Sequence, residues 1–249
     1  MNRRHLLRAS TAVGAAGVLT GIGTTSTAQA TSTAQATSTA QAAESASGPL
    51  RVHIVMYDGV EELDFTAPYE VFSAARVFTD REIDVRYVRA SGRGTVTAAY
   101  GTEVRVEHDW SPGDADIVVV PGGGYARRDG PGVWAEIRRG TLPTALAAAV
   151  RPDLTLSSVC TGAMLLSAAG LTRGRPCTTH HKARADLEKQ GGVLKNARVV
   201  DDGDLVTAGG ITSGLELALW LVRRHLGADT ATGVEMLLEY EARGTVWSR

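Results

Sequence analysis

The sequence predicts an α/β fold built on a doubly wound, mostly parallel sheet with helices on both faces. Strand-like apolar segments alternate with segments of helical periodicity along most of the chain. The segment Ile117–Val120 is apolar throughout, which is typical of a central strand buried on both faces. The length of 249 residues and the 43% hydrophobic content are sufficient for one such domain with its own core.

In the first half of the predicted domain, strands and helices follow from local patterns. An apolar strand ends at Asp58-Gly59, and a helix follows with Thr66 as its N-cap and Pro68 in its first turn. The predicted elements are strands at 51–57, 83–89, 95–99, 103–107 and 117–120 and helices at 67–78, 133–139 and 143–150.

In the second half of the predicted domain, two further patterns predict a turn and the start of a helix. The pair Asp202-Gly203 predicts a tight turn between two strands. Ser213 and Glu216 have the spacing of a capping box and predict the start of a long helix. The predicted elements are strands at 154–159, 175–178, 198–200 and 205–207 and helices at 162–169, 182–190, 213–225 and 230–240.

Residues 1–42 predict an export signal rather than part of the fold. Arg3 and Arg4 precede a weakly apolar run and small-residue cleavage sites, a pattern typical of a twin-arginine signal peptide. The hexapeptide Thr-Ser-Thr-Ala-Gln-Ala then occurs three times in succession and is too polar to build a core. We expect a secreted protein with this segment at 1–42, a linker at 43–49 and one catalytic domain at 50–249. A cytosolic chain with a disordered tail is the alternative.

Charge and hydropathy argue against two classes of partner. The formal net charge of -1 gives no basic surplus for nucleic acid. No uninterrupted apolar stretch has the length of a membrane span, and no cysteine follows the apolar run of the signal to carry a lipid anchor. We therefore expect neither a nucleic-acid partner nor a membrane anchor.

Cys160 is the candidate nucleophile. It lies where a short apolar strand turns directly into a helix, the position of a nucleophile elbow, with the small residues Ser158 and Gly162 on either side. The first turn of the helix directs N–H groups and the positive end of its dipole at the sulfur, which favours the reactive thiolate. The alternatives are a buried structural cysteine and a disulfide with Cys177. Folding before export favours two free thiols.

Glycines and carboxylates follow neighbouring strands at the same predicted edge of the sheet, where ligands bind in this architecture. We expect the backbone N–H groups of Gly122, Gly123 and Gly162 to stabilise an anion together with the amide of Thr161, although a tight turn explains the glycines equally well.

Among the carboxylates that follow the first strand, Asp64 is the candidate acid. It lies between two apolar residues, and such an environment raises a carboxyl pKa towards neutrality, where the group exchanges protons. A second helix cap is the alternative for Asp64. Glu61 is expected to be a solvated charge and remains a lesser site candidate.

Five segments together resemble the ThiJ/PfpI superfamily, whose fold is flavodoxin-like and class I glutamine-amidotransferase-like. They are residues 61–72, 120–124, 159–163, 178–181 and 212–219, and the resemblance extends over about residues 50–239. Within the superfamily the chain is similar to the isonitrile hydratases and to the sensor domains of AraC-type regulators.

The resemblance implies roles for individual residues. It places the nucleophile at Cys160, an aspartate at Asp64 where many branches have glutamate, and Thr161 beside the sulfur. The protease-like branch has histidine at the position of Thr161, so this difference argues against a peptidase. His180 and His181 follow later in the chain, and His180 is the further candidate for the site.

The resemblance also implies a reaction. We expect a small-molecule substrate, an isonitrile, to be hydrated to an N-substituted formamide through a thioimidate. We also expect a homodimer that needs no metal or organic cofactor. One alternative is a glyoxalase-like or deglycase-like activity on 2-oxoaldehydes. Another is a non-enzymatic ligand-binding or redox-sensing module in which Cys160 is oxidised.

Overall fold

The computed structural model describes residues 48–249, which contain a mostly parallel eight-stranded sheet. The fold class predicted from the sequence is confirmed. The predicted export signal and repeat lie outside the described residues. Among the helices of residues 48–249, none combines the length and apolar character needed to cross a bilayer.

The segment Ile117–Val120, predicted to be a central strand, lies near the centre of the large sheet. Across the sheet the strand order is β12-β10-β11-β7-β6-β1-β2-β5, and all neighbours from β11 to β5 run parallel. Strand β10 is antiparallel to β11, and β12 pairs parallel to β10. The strands are β1 (Leu50–Val55), β2 (Ile83–Arg89), β3 (Gly94–Thr97), β4 (Glu103–Val106), β5 (His108–Asp109), β6 (Ile117–Val120), β7 (Thr155–Ser158), β8 (Pro176–Cys177), β9 (Val193–Leu194), β10 (Val199–Asp201), β11 (Leu205–Ala208) and β12 (Val246–Ser248).

The helices form two groups that pack internally. One group contains α1, α6 and α7, and the other contains α2, α3 and α4. The helices are α1 (Glu62–Ala75), α2 (Val133–Arg139), α3 (Thr141–Ala148), α4 (Gly162–Ala168), α5 (Arg184–Lys189), α6 (Ser213–Leu226) and α7 (Ala228–Leu237). All four residues of β6 are completely buried, as expected for a strand covered on both faces.

The predicted start of the first helix is wrong. Helix α1 begins at Glu62, and the side chain of Glu61 is its N-cap, accepting hydrogen bonds from the N–H groups of Leu63 at 3.0 Å and Asp64 at 3.2 Å. Thr66 lies inside the helix and donates its hydroxyl hydrogen to the Glu62 carbonyl. The first turn of α1 therefore carries Asp64, which fixes the direction of its side chain.

The predicted capping box of the long helix is also wrong, although helix α6 does begin at Ser213. The Ser213 hydroxyl donates to the Gly210 carbonyl, while Glu216 forms an ion pair with Arg198 at 2.7 Å. Glu216 is drawn away from the helix terminus because Arg198 offers its largely buried carboxylate a charged partner.

Protonation of His225 is predicted to make the fold sensitive to acid. Its Nε2 atom is buried without a hydrogen-bond partner among residues 48–249, and burial and the charges of Arg224 and Arg81 lower its pKa to about 4. The unfolded chain takes up this proton near pH 6.5, so stability that is complete above that pH is lost as the pH falls towards 4.

Replacement of this histidine gives the corresponding test. In His225→Gln we expect the melting temperature to fall less between pH 7 and pH 5 than in the wild type, measured by scanning calorimetry. His108→Gln, at an exposed position of β5, is the matched control and retains the wild-type slope. An equally steep fall in His225→Gln would contradict the assignment.

Candidate active site

Cys160 lies in a left-handed backbone conformation between β7 and α4, with φ of 56°. Such a conformation costs a non-glycine residue on the order of 1–3 kcal/mol. Two hydrogen bonds hold it: the Cys160 N–H donates to the Gly209 carbonyl, and the Thr179 hydroxyl donates to the Cys160 carbonyl, both at 2.7 Å. The side chain is only 5% exposed. The predicted elbow is therefore present, and both Cys160 and Cys177 are free thiols.

The glycines beside the elbow allow two backbone segments to approach closely. A Cβ at Gly162 would overlap the carbonyl of Val120, and a Cβ at Gly122 would overlap the hydroxyl of Thr161. These contacts pack the start of α4 directly against the end of β6. The glycines are needed for packing here, whatever their chemical role.

The N–H groups of the three glycines predicted to bind an anion have acceptors within the protein, and the anion pocket itself stays a prediction. The Gly122 N–H donates to Asp64 Oδ2 at 2.8 Å, and the Gly123 N–H donates to Thr161 Oγ1 at 3.1 Å. The Gly162 N–H donates to the Val159 carbonyl at 2.9 Å. The Gly122 and Gly123 N–H groups thus orient the side chains of Asp64 and Thr161 beside Cys160.

Asp64 is completely buried in the first turn of α1. Burial and the nearby charge of Glu61 raise its pKa well above the usual value, while the Gly122 N–H and the Cys160 thiol act in the opposite direction. The predicted rise in the pKa of Asp64 is confirmed. Its second oxygen, Oδ1, has no hydrogen-bond partner of good geometry among the described residues.

The surroundings of Cys160 oppose the thiolate that the sequence predicts. Burial and the negative charge of Asp64 raise the pKa of Cys160 to about 12, despite opposing contacts from the N–H groups of Ile211 and Thr161 and from the Thr161 hydroxyl. Helix α4 has only seven residues, and its N-terminus does not offset the loss of water around the sulfur. Cys160 and Asp64 together carry at most one negative charge.

Thr161 connects the glycine loop to the sulfur. Its hydroxyl oxygen accepts from the Gly123 N–H, which leaves the hydroxyl hydrogen free to be donated to Cys160, where it lowers the pKa of the thiol. The side chain thus orders the loop and favours negative charge on the sulfur at the same time.

A cavity of about 550 Å³ opens in front of Cys160 and Thr161. Asp64 is not on its surface but lies behind the sulfur. The lining residues are Glu61, Ala99, Tyr100, Gly123, Gly124, Tyr125, Ala126, Arg127, Cys160, Thr161, His180, Lys182 and Ile211. A cavity of this size accommodates a small organic molecule in contact with the thiol.

His180 and Glu61, the two lesser candidates, both line this cavity. Burial and the charges of His181 and Lys182 lower the pKa of His180, so its ring is neutral at neutral pH. Its Nδ1 accepts from the Lys182 N–H at 3.3 Å, which assigns the proton to Nε2. Glu61 is occupied with capping α1. His181 is not among the lining residues of this cavity.

Sequence reasoning missed Ile211, which has a positive φ of 31° and directs its N–H at the sulfur. The sequence did contain one signal, the pair Gly209-Gly210 directly after the predicted strand 205–207. In the structure β11 pairs parallel to β7, so this turn lies beside Cys160 at the same edge of the sheet.

Comparison with known proteins agrees with this architecture. The sequence model of the DJ-1/PfpI family matches residues 50–224. The chain belongs to the DJ-1/PfpI family. The resemblance to the ThiJ/PfpI superfamily drawn from the sequence motifs is thereby confirmed.

Individual relatives include enzymes. The chain is 33% identical to an isonitrile hydratase of Pseudomonas putida over 192 residues, which cover 77% of this chain and 78% of the relative. It is 28% identical to a deglycase of Pyrococcus horikoshii over 125 residues, covering 49% and 71%. A ThiJ/PfpI family protein from Pseudomonas syringae superposes with a TM-score of 0.65 at 25% identity, covering 78% and 76% of the two chains.

The coupling between Asp64 and Cys160 predicts the reactivity of the thiol. In Asp64→Asn the negative charge that raises the pKa of Cys160 is absent, so alkylation by iodoacetamide at pH 8–9 is expected to be faster than in the wild type. In the wild type the rate should still be rising at pH 10. The modification of Cys160 is followed by peptide mass spectrometry, and slower alkylation of the variant would contradict the coupling.

Thr161 permits a second test with a conservative control. Thr161→Val removes the hydroxyl near the sulfur at nearly constant volume, so the pKa of Cys160 should rise further and its alkylation should slow by about three- to ten-fold. Thr161→Ser keeps the hydroxyl and should remain close to the wild type. Equal rates in the valine and serine variants would show that the hydroxyl does not act on the sulfur.

Proposed function

We propose that this protein hydrates isonitriles, R–NC, to N-substituted formamides, R–NH–CHO, with Cys160 as the nucleophile. One observation carries the proposal: the thiol of Cys160 lines a cavity of substrate size, and the buried carboxyl group of Asp64 lies directly behind this thiol. The similarity to the isonitrile hydratase of Pseudomonas putida supports it.

In the first step, the Cys160 proton passes to the carboxylate of Asp64 as the sulfur attacks the terminal carbon of the isonitrile. This transfer moves negative charge from Asp64 to the sulfur within the pair. The net charge of the buried site stays the same, and the cost of burying a second charge is avoided. Asp64 then gives the proton to the same carbon. A carbon–sulfur and a carbon–hydrogen bond have formed, and the product is the thioimidate Cys160–S–CH=N–R.

In the second step, water adds to the carbon–nitrogen double bond. One proton of the water reaches the nitrogen, and the resulting intermediate carries sulfur, hydroxyl and amine on one carbon. Cleavage of the carbon–sulfur bond releases R–NH–CHO, and the hydroxyl proton returns to the sulfur. Asp64 accepts and donates protons in both halves of the cycle, which its raised pKa permits. The overall reaction consumes one water and requires no redox partner.

The contacts around the sulfur suit charge that develops during attack. The Ile211 and Thr161 N–H groups and the Thr161 hydroxyl stabilise the transient thiolate and then the departing sulfur. The neutral ring of His180, with its proton on Nε2, offers a hydrogen-bond donor to the nitrogen of the substrate from the cavity wall.

A deglycase-like activity on 2-oxoaldehydes is the second candidate, because the chain is also similar to a deglycase. It would use the same thiol to form a hemithioacetal. The shorter side chain of Asp64 distinguishes this site from the glutamate usual among those relatives. Redox sensing is less favoured, since a thiol with a pKa of about 12 and 5% exposure offers peroxide little thiolate.

Export and homodimer formation remain predictions. The paired arginines Arg3 and Arg4 and the small-residue repeat support secretion. Substituting both arginines with lysine and following the protein in cell fractions tests export, and light scattering of the purified protein tests the homodimer.

The proposed reaction predicts a specific pattern of variant activities. Cys160→Ala should abolish formation of N-substituted formamide, and Asp64→Asn should lower kcat by about 10²- to 10⁴-fold, because the proton relay is lost. Activity is measured by NMR with benzyl and tert-butyl isonitrile, beside methylglyoxal for the second candidate.

Cys177→Ala is the control for loss of a thiol, since Cys177 is completely buried in a separate cluster with Met164 and Leu187. It should retain isonitrile hydration. Full hydration by Cys160→Ala would refute the nucleophile, and turnover of methylglyoxal without turnover of any isonitrile would favour the deglycase-like activity.

A further inference from the structure

We propose that the Cys160 cavity selects isonitriles whose organic group carries a carboxylate or a comparable anionic group. The inference rests on the proposed function, because it names the substrate class of the same site. It is argued from the charges that line the cavity.

Within residues 48–249, two cationic side chains of the lining, Arg127 and Lys182, have no carboxylate partner. Neither takes part in any ion pair formed by residues 48–249. The polar contact of the Arg127 side chain is a long hydrogen bond of 3.4 Å to the Ala99 carbonyl. Both side chains therefore line the cavity without an ion-pair partner among these residues.

The neighbouring residue, Arg128, differs from Arg127 because its side chain has a structural role. Arg128 forms an ion pair with Asp186 at 3.0 Å and lies over the ring of Trp134, 4.2 Å from its centroid. Its charge and its surface are satisfied by the fold, and it does not line the cavity. Arg127, one residue earlier, has neither kind of partner, so folding alone does not account for its placement.

The remaining ionisable groups of the lining do not cancel the two cations. Glu61 is the one carboxylate among the lining residues, and its Oε2 faces the first turn of α1, where it accepts two backbone N–H groups. His180 is neutral. Asp64 lies behind Cys160 and off the cavity surface. The lining thus carries two cations and one carboxylate, which leaves an excess of positive charge.

The rest of the lining suits an apolar connecting group. Ala99, Tyr125, Ala126 and Ile211 contribute apolar surface to the same lining as the cations and the thiol. An isonitrile with a carboxylate at its far end would place its chain on this surface and its charge near Arg127 and Lys182, while the terminal carbon meets the sulfur. The two cations would offset the cost of removing the carboxylate from water. A neutral isonitrile gains nothing from them.

A pair of alkylating reagents tests the charge preference without any catalytic turnover. Iodoacetate and iodoacetamide attack the same thiol with the same leaving group but differ by one negative charge. Arg127→Gln and Lys182→Gln should each lower the iodoacetate rate at Cys160 by about two- to five-fold and leave the iodoacetamide rate nearly unchanged. The double variant should show the combined loss, and added salt should reduce the difference between wild type and variants.

Arg243→Gln is the matched control, because it removes one positive charge from a side chain that is 84% exposed and outside the cavity lining. It should leave both alkylation rates unchanged. The proposal is overturned if iodoacetate reacts equally fast with wild type and the double variant. It is also overturned if both reagents slow equally, since the substitutions then act on the thiol and not on the charge of its ligand.

A comparison of an anionic and a neutral isonitrile substrate completes the test. The ratio of kcat/KM for isocyanoacetate to that for its methyl ester should fall in Arg127→Gln and Lys182→Gln and not in Arg243→Gln. If no isonitrile is hydrated but the alkylation rates respond as expected, the proposed function fails while the anion preference of the cavity stands. If both compounds are hydrated with a ratio that no substitution changes, the hydratase stands and the anion preference fails.

Discussion

Burial of Asp64 against Cys160 is the constraint on which the site depends. Water is excluded from both groups, which disfavours charge on either, and the negative charge of Asp64 further disfavours a thiolate at Cys160, so a second negative charge in the pair is unfavourable. The hydrogen bond from Gly122 to Asp64 and the packing of Gly122 against Thr161 hold the two groups together from opposite sides. The chemistry that fits this arrangement transfers a proton within the pair at the moment of attack.

The convergence of the site was predictable because it follows from topology. The carboxyl ends of parallel strands lie at the same edge of a sheet. Asp64 follows β1, the glycines follow β6 and Cys160 follows β7, so the three segments meet at that edge. The strongly patterned elements β2, β6 and α2 have the predicted bounds. The hydrophobic pattern of each of these elements is local and agrees with its place in the fold. Prediction from sequence is most reliable where local pattern and fold agree in this way.

The failures arise where long-range contacts override local rules. A glutamate, Glu61, caps α1 in place of the expected Thr66, because the turn after β1 carries its side chain to the helix terminus. Strands β5, β9 and β12 have two or three residues, too few for a periodic signal. The desolvation that opposes a thiolate at Cys160 could not be predicted, because a helix N-terminus is visible in the sequence, whereas burial by Asp64 and its surroundings depends on packing.

The most direct test of this account is the infrared S–H stretching band of Cys160, isolated by subtracting the spectrum of Cys160→Ala from that of the reduced wild type. The contribution of Cys177 cancels, because both proteins contain it. We expect the band to be present at neutral pH and to persist to about pH 10, since the pKa of this thiol is about 12. Absence of the band at neutral pH, with mass spectrometry showing unmodified Cys160, would establish a resting thiolate and contradict the coupled pair.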